Sequence, residues 1–170
     1  MTTNDTRTPV ALTQYSQSRW AWACIAIVIA LSLGQPAQAA KPRPKTPGAT
    51  IVINGDPGGS VRKRYNEVQD INRLSQRVEI RKGACLSSCT MFLGAADVCV
   101  SPQAILGFHG PSRLGYKLAS SEFEAWSRVI AAHYPTVIRQ WYMEKARHSV
   151  FVISKLRGAE LIRLGIPQCT

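Results

Sequence analysis

The sequence predicts one α/β domain of modest size behind an export signal. Short β-branched apolar runs alternate with a helical pattern in the first half of the chain body. Glycine-rich turns close those runs, and a positively flanked apolar stretch precedes them. Strand, helix and strand in alternation imply parallel pairing through right-handed crossovers.

Each element follows from its residues. Arg7 and Arg19 flank Trp20–Leu33, which is almost wholly apolar, and Ala37-Gln38-Ala39 fits the A-x-A cleavage pattern, so residues 1–39 read as a signal peptide. The apolar run is shorter than the roughly 20 residues that span a bilayer. An uncleaved inner-membrane anchor is the alternative, and on either reading the body is translocated to the periplasm or beyond. Residues 40–48 are proline-rich and basic, an extended tether. Residues 49–170 then form the domain.

Within the domain, Ala49–Asn54 is a buried strand ending in the turn Gly55-Asp56-Pro57-Gly58-Gly59. Val61–Gln76 carries Val61, Tyr65, Val68, Ile71 and Leu74 at helical spacing. Val78–Arg81 is a second strand, Ser87–Ala96 a largely buried helix, and Val98–Val100 and Ala104–Phe108 two more strands about Pro102. The pattern then turns helical. One helix is expected from Ser120, as its cap, to His133, a second from Tyr134 to Arg147, and a third over Ser154–Leu164. Gly165 is its stop, and Ile166–Cys169 returns as a strand.

Loss of the signal lowers the net charge from +11 to +10. The basic residues are dispersed and lack aromatic interleaving, so no nucleic-acid partner is expected, only a weak attraction to anionic envelope surfaces. Cys24 leaves with the signal. Cys85, Cys89, Cys99 and Cys169 remain, an even set that in an exported chain favours disulfides with three pairings open. Cys85-x3-Cys89 has no matching ligand pair at zinc-site spacing, so no metal is expected. His133 and His148 read as solvated surface residues, and Trp126, Trp141, Tyr134 and Tyr142 as packing.

The chemistry concentrates in Gly83–Pro111 and the upstream glycine turn. Ser87 stands where strand gives way to helix, and the first N–H groups of that helix face any developing negative charge. Gly58-Gly59 lets backbone approach a ligand closely. His109 ends the fourth strand, 22 residues after Ser87, as a general base. A nucleophile, a base and backbone donors are the parts acyl transfer needs.

These residues resemble a known family. INGDPGG resembles the INSPGG turn of the Clp protease proteolytic subunit, and Ser87 with its following segment resembles that family's nucleophile helix. Pro102 and His109 match its proline and catalytic histidine at the same mutual spacing, although the connection at Ala95–Val98 is shorter here. Closer still is the similarity to exported, periplasmic Clp-like proteins with a Ser-x-Cys-Thr segment and Gly-Phe-His. The resemblance covers roughly Ile51–Pro111 and implies the Clp/crotonase-like spiral of ββα units. It implies Ser87 as nucleophile, His109 as base, and the N–H groups of Gly59 and Ser88 as oxyanion hole. Ser88 is the rival nucleophile. The family's third member, an aspartate, has no counterpart: the matching position is Ser149, and Glu144 is the nearest carboxylate in sequence. The resemblance further implies self-association, since larger relatives form rings, and no cofactor.

The leading expectation is an exported serine hydrolase, a peptidase, acting on small peptides or unfolded protein through a Ser-His dyad or triad. A catalytically inactive Clp-like binding or scaffold module in the cell envelope is the alternative, favoured by the missing acid. A crotonase-like enzyme on acyl-CoA fits poorly with export.

Overall fold

Four β-branched segments become parallel strands, as their patterning requires. The structure, a computed structural model, describes Arg43 and residues 45–170; the signal, its cleavage site, Cys24 and tether residues 40–42 and 44 lie outside the described residues. Strands β1 (Thr50–Ile53), β2 (Arg77–Ile80) and β4 (Asp97–Val100) form one sheet in the order β1-β2-β4, parallel throughout. Ile51, Ile53, Val78 and Ile80 alternate inward, while Glu79 on the open face bonds Arg77 and Arg81. That alternation of apolar and polar side chains selects which face is covered.

Helix α1 (Val61–Arg73) covers it, capped by Ser60 and burying Arg64, Val68 and Ile71. A second sheet, β3-β5-β8, sets β3 (Ala84–Leu86) parallel to β5 (Ile105–Phe108), and β8 (Ser154–Arg157) antiparallel to β5. Between β3 and β4 runs a 3₁₀ segment, Ser87–Gly94, with Ser88 through Leu93 all buried. A segment apolar on every side belongs in the core. Beyond β5 come a small hairpin, β6 (Ser112–Arg113) with β7 (Tyr116–Lys117), then α2 (Ser120–Ala131), α3 (Thr136–Glu144), a 3₁₀ turn at Ala146–His148, and α4 (Gly158–Arg163) after β8. Residues 42–170 pack as a single unit, mixed α/β in class.

Several expectations are corrected. Ser154–Arg157 is strand rather than helix, because it pairs with β5 along its whole length, so the last helix starts only at Gly158. Ala119, not Ser120, is the N-cap of α2, and no side chain caps it. The segment Ser87–Gly94 is 3₁₀ rather than α-helical, with the Thr90 hydroxyl donating to the Ser87 carbonyl at 2.7 Å. His133 is buried, not solvated: its Nδ1 meets the Val129 carbonyl at 2.8 Å and Tyr65 packs against its ring. Burial lowers its affinity for a proton.

Two disulfides are present, Cys85–Cys89 and Cys99–Cys169. The turn at Ser87 is thus closed on itself and is not tied to Cys99 or Cys169. The second bond fastens the chain end, whose Gln168 bridges in parallel to Val100. Such bonds persist in an oxidising compartment, consistent with export. Among the described residues no helix is long and apolar enough to cross a membrane. Loop closure sets the expected cost of removing each bond. Cys99→Ser with Cys169→Ser should lose about 4 kcal/mol, and Cys85→Ser with Cys89→Ser about 2 kcal/mol. Urea midpoints of the two variants, compared with the parent, check the order.

Candidate active site

The glycine turn is held by one carboxylate. Asp56 accepts from the N–H of Gly58 at 2.8 Å and from Arg64 at 2.7 Å, and Arg43 bonds the same oxygen as Arg64. Its backbone pairs with β3: Asp56 N–H donates to Ala84, and Leu86 N–H donates to Asp56, both at 2.8 Å. Arg64 is buried, lies 4.1 Å from the centre of the Phe92 ring, and also bonds Glu67 at 2.8 Å. One charge network therefore joins the turn, α1 and the 3₁₀ segment. Burial alone would raise the Asp56 carboxyl, but the Gly58 N–H and the two guanidinium groups outweigh it and hold it below its usual range.

Gly58, at φ 90°, fits against the start of the 3₁₀ segment. A Cβ there would come within 2.5 Å of the Leu86 carbonyl and 2.6 Å of Ser87 Cβ. Gly59 follows at φ 144°. Neither conformation suits a larger side chain.

Ser87 itself is left-handed, at φ 57°. For a residue with a Cβ that conformation costs about 1–3 kcal/mol and persists only where surroundings impose it. Here Cys85 and Cys89, two residues to either side, are bonded to each other. The Ser87 carbonyl is fixed by Thr90, whose hydroxyl proton is thereby committed, so Tyr134 donates to Thr90 Oγ1 across 2.6 Å. Burial raises the Tyr134 phenol well above its ordinary range and keeps it a donor. Ser87 is half-buried and Ser88 fully buried, and Ser88 Oγ has no partner among the described residues.

His109 is clamped from behind. Phe108 takes ring-edge contacts from Tyr134 and Trp141 at 5.4 and 5.3 Å, and the Tyr142 hydroxyl donates to the His109 carbonyl at 3.4 Å. Gly110 N–H donates to the Ser149 carbonyl at 2.8 Å, and a Cβ on Gly110 would stand 1.9 Å from the Arg147 carbonyl. Arg147 is in turn held by Glu124 at 2.9 Å. The imidazole Nδ1 lies 2.7 Å from the Gly110 carbonyl. A carbonyl can only accept, so Nδ1 carries the proton of this bond, and in the neutral ring the lone pair lies on Nε2.

Ser87, Ser88, His109 and Gly59 line one small cavity of about 80 Å³, closed by Gly110, Pro111 and Ile130. Among the described residues nothing accepts from the N–H of Gly59 or of Ser88. The four residues singled out by sequence thus meet at one point. Ser87 Oγ and His109 share the cavity without a hydrogen bond between them. Ser149 is a neighbour through its carbonyl, while its hydroxyl accepts from Val152 N–H at 3.2 Å and not from the imidazole. Glu144 is exposed at the end of α3 and bonds nothing among the described residues. A larger cleft of about 330 Å³, between the tether and α1, touches none of these residues.

Sequence reasoning missed Asp56, Arg64 and Gly110. An arginine four residues before Val68, on the buried face of α1, was the available signal for Arg64. Compared with known proteins, the chain matches no family model and no curated sequence.

Two outcomes test the geometry. Asp56→Asn should lose about 2 kcal/mol, because Arg64 is left short of a buried partner. With the folded carboxyl held below its unfolded value of 3.8, its contribution is complete above that pH and fades as pH falls through the folded value. Acid unfolding followed by circular dichroism should therefore flatten below about pH 4 in the variant. Gly58→Ala should fold less stably and distort the cavity, read as a chemical-shift change at the His109 ring.

Proposed function

We propose that this chain is a periplasmic serine hydrolase of the Clp-like type, a peptidase on small or unfolded peptides, built on the Clp/crotonase-like spiral of ββα units. One observation carries the reading: a left-handed, half-buried Ser87 lines the same small cavity as His109 and the amides of Gly59 and Ser88. Backbone strain of that kind clusters at reacting groups. The INGDPGG turn, the Ser-x-Cys-Thr segment and the Gly-Phe-His of the Clp-like resemblance add to it.

In the proposed reaction Ser87 Oγ adds to the substrate carbonyl carbon and its proton passes to His109 Nε2. The carbonyl oxygen becomes an oxyanion received by the N–H groups of Gly59 and Ser88. His109 returns the proton to the leaving nitrogen or oxygen, that bond breaks, and an acyl ester on Ser87 remains. Water then attacks the ester carbon while His109 takes its proton, and Ser87 recovers a proton as the acid departs. The Gly110 carbonyl does part of the work of the missing acid, holding the ring and its tautomer. Ser88 is the weaker nucleophile, since its hydroxyl is fully enclosed.

An inactive binding module is the second reading. The observation favouring it is that no carboxylate touches His109 and no hydrogen bond joins His109 to Ser87 among the described residues. A fluorophosphonate probe separates the two. The protein with its disulfides formed should gain one adduct in intact mass, as should Ser88→Ala, while Ser87→Ala gains none. His109→Ala should lower peptide hydrolysis roughly a thousandfold. Absence of any adduct on folded protein would favour the binding module.

A further inference from the structure

The cavity at Ser87 does not end at Ser112. Gly59, Val61, Pro111 and Ser112 also line a groove of about 320 Å³, whose farther walls are Arg62, Arg113, Glu122 and Trp126. A chain whose carbonyl reached Ser87 would lie along this groove within a residue or two of the reacting bond.

The groove's charges are unequal. Arg113 is bonded to Glu122 at 2.8 Å. Arg62 is exposed, its guanidinium 5.7 Å from the centre of the Trp126 ring, and no carboxylate among the described residues pairs with it. Two cations thus face one anion, which the other cation already engages. The indole restrains Arg62, so less freedom is lost when it binds, and its planar fork matches the two oxygens of a carboxylate.

We propose that this groove recognises a substrate carboxylate near the scissile bond, with Arg62 as its receptor and the Arg113–Glu122 pair as a second, masked cation. The inference rests on the hydrolase reading of the Ser87 site and names its substrate class: acidic peptides. The carboxylate is either an Asp or Glu side chain or a free chain terminus, which share the same chemistry. Trp126 and Leu118 supply apolar surface for the remainder of the peptide.

The test uses binding, which needs no turnover. Four hexapeptides of common apolar sequence, with Glu or Gln at one position and a free or amidated C-terminus, are titrated calorimetrically into the Ser87→Ala protein with its disulfides formed. The expected result is a gain of about fivefold for the Glu or the free-acid peptide over its neutral counterpart at low salt. Arg62→Gln should abolish that gain, Glu122→Gln should enlarge it by unmasking Arg113, and roughly 0.5 M salt should suppress it. Whichever peptide pair carries the gain identifies the source. Equal affinity across the four peptides, no binding of any, or a gain that survives Arg62→Gln would overturn the proposal. Fluorophosphonate labelling of the wild-type protein reports separately on the hydrolase reading: failure to label removes that reading and leaves the carboxylate preference standing or falling on the titrations alone.

Discussion

The carboxylate of Asp56 is the fixed point of this molecule. Asp56 is the hub where three parts of the chain meet: its carboxylate bonds the glycine turn after β1 and Arg64 on the buried face of α1, and its backbone pairs with β3, the strand that leads to Ser87. Without its bond to Gly58 N–H the glycine turn has no reason to prefer one orientation. Without Arg64 under Phe92 the 3₁₀ segment would lose its lateral support. A buried ion pair contributes little net stability as a rule, because desolvation offsets attraction. Its value here is positional. Each additional hydrogen bond restricts where the turn and the 3₁₀ segment sit relative to each other, and the 80 Å³ cavity lies at their junction.

On the opposite wall the same end is reached with neutral groups. His109 is held through its neighbour Phe108, which aromatic edges grip, by a tyrosine hydroxyl on its own carbonyl, and by the Gly110 carbonyl at its ring, none of which bears charge. A carbonyl orients an imidazole and sets its tautomer as a carboxylate does. It stabilises the imidazolium formed during proton transfer far less, since it offers a dipole in place of a full charge. In the proposed hydrolase the arrangement would favour slow turnover over a fast one, and a substrate bound long enough to need its own recognition elements in the adjoining groove.

Much of this was legible in the residues and some was not. The strands at 50–53, 77–80, 97–100 and 105–108 announce themselves through β-branched runs between glycines and prolines, because their burial pattern is written in their composition. Ser154–Arg157 does not: three of its four residues are polar, and only the open edge of β5 makes them a strand. Ser87, Ser88, Gly59 and His109 could be placed together because turns and strand ends carry recognisable signals. Asp56 could not, since a carboxylate in a turn looks the same whether it faces water or a buried arginine. The disulfide partners were equally hidden, as four cysteines alone leave every pairing open. Which groups surround a residue is set by tertiary packing, and that information is spread over distant parts of the chain.

The bond between Cys99 and Cys169 has a topological consequence. It makes a covalent ring of everything from β4 to the end of the chain. His109 lies on that ring and Ser87 lies outside it, on the thread that leads in. Among the described residues the ring also carries strongly exposed large apolar side chains, at the hairpin tip (Leu114 and Tyr116) and in the loop at Phe151. A single cut at any of them linearises the ring but releases nothing, because both fragments stay joined through the sulfur bridge. Whichever is cut, the C-terminal piece with β8 stays covalently joined to the piece that carries both Ser87 and His109.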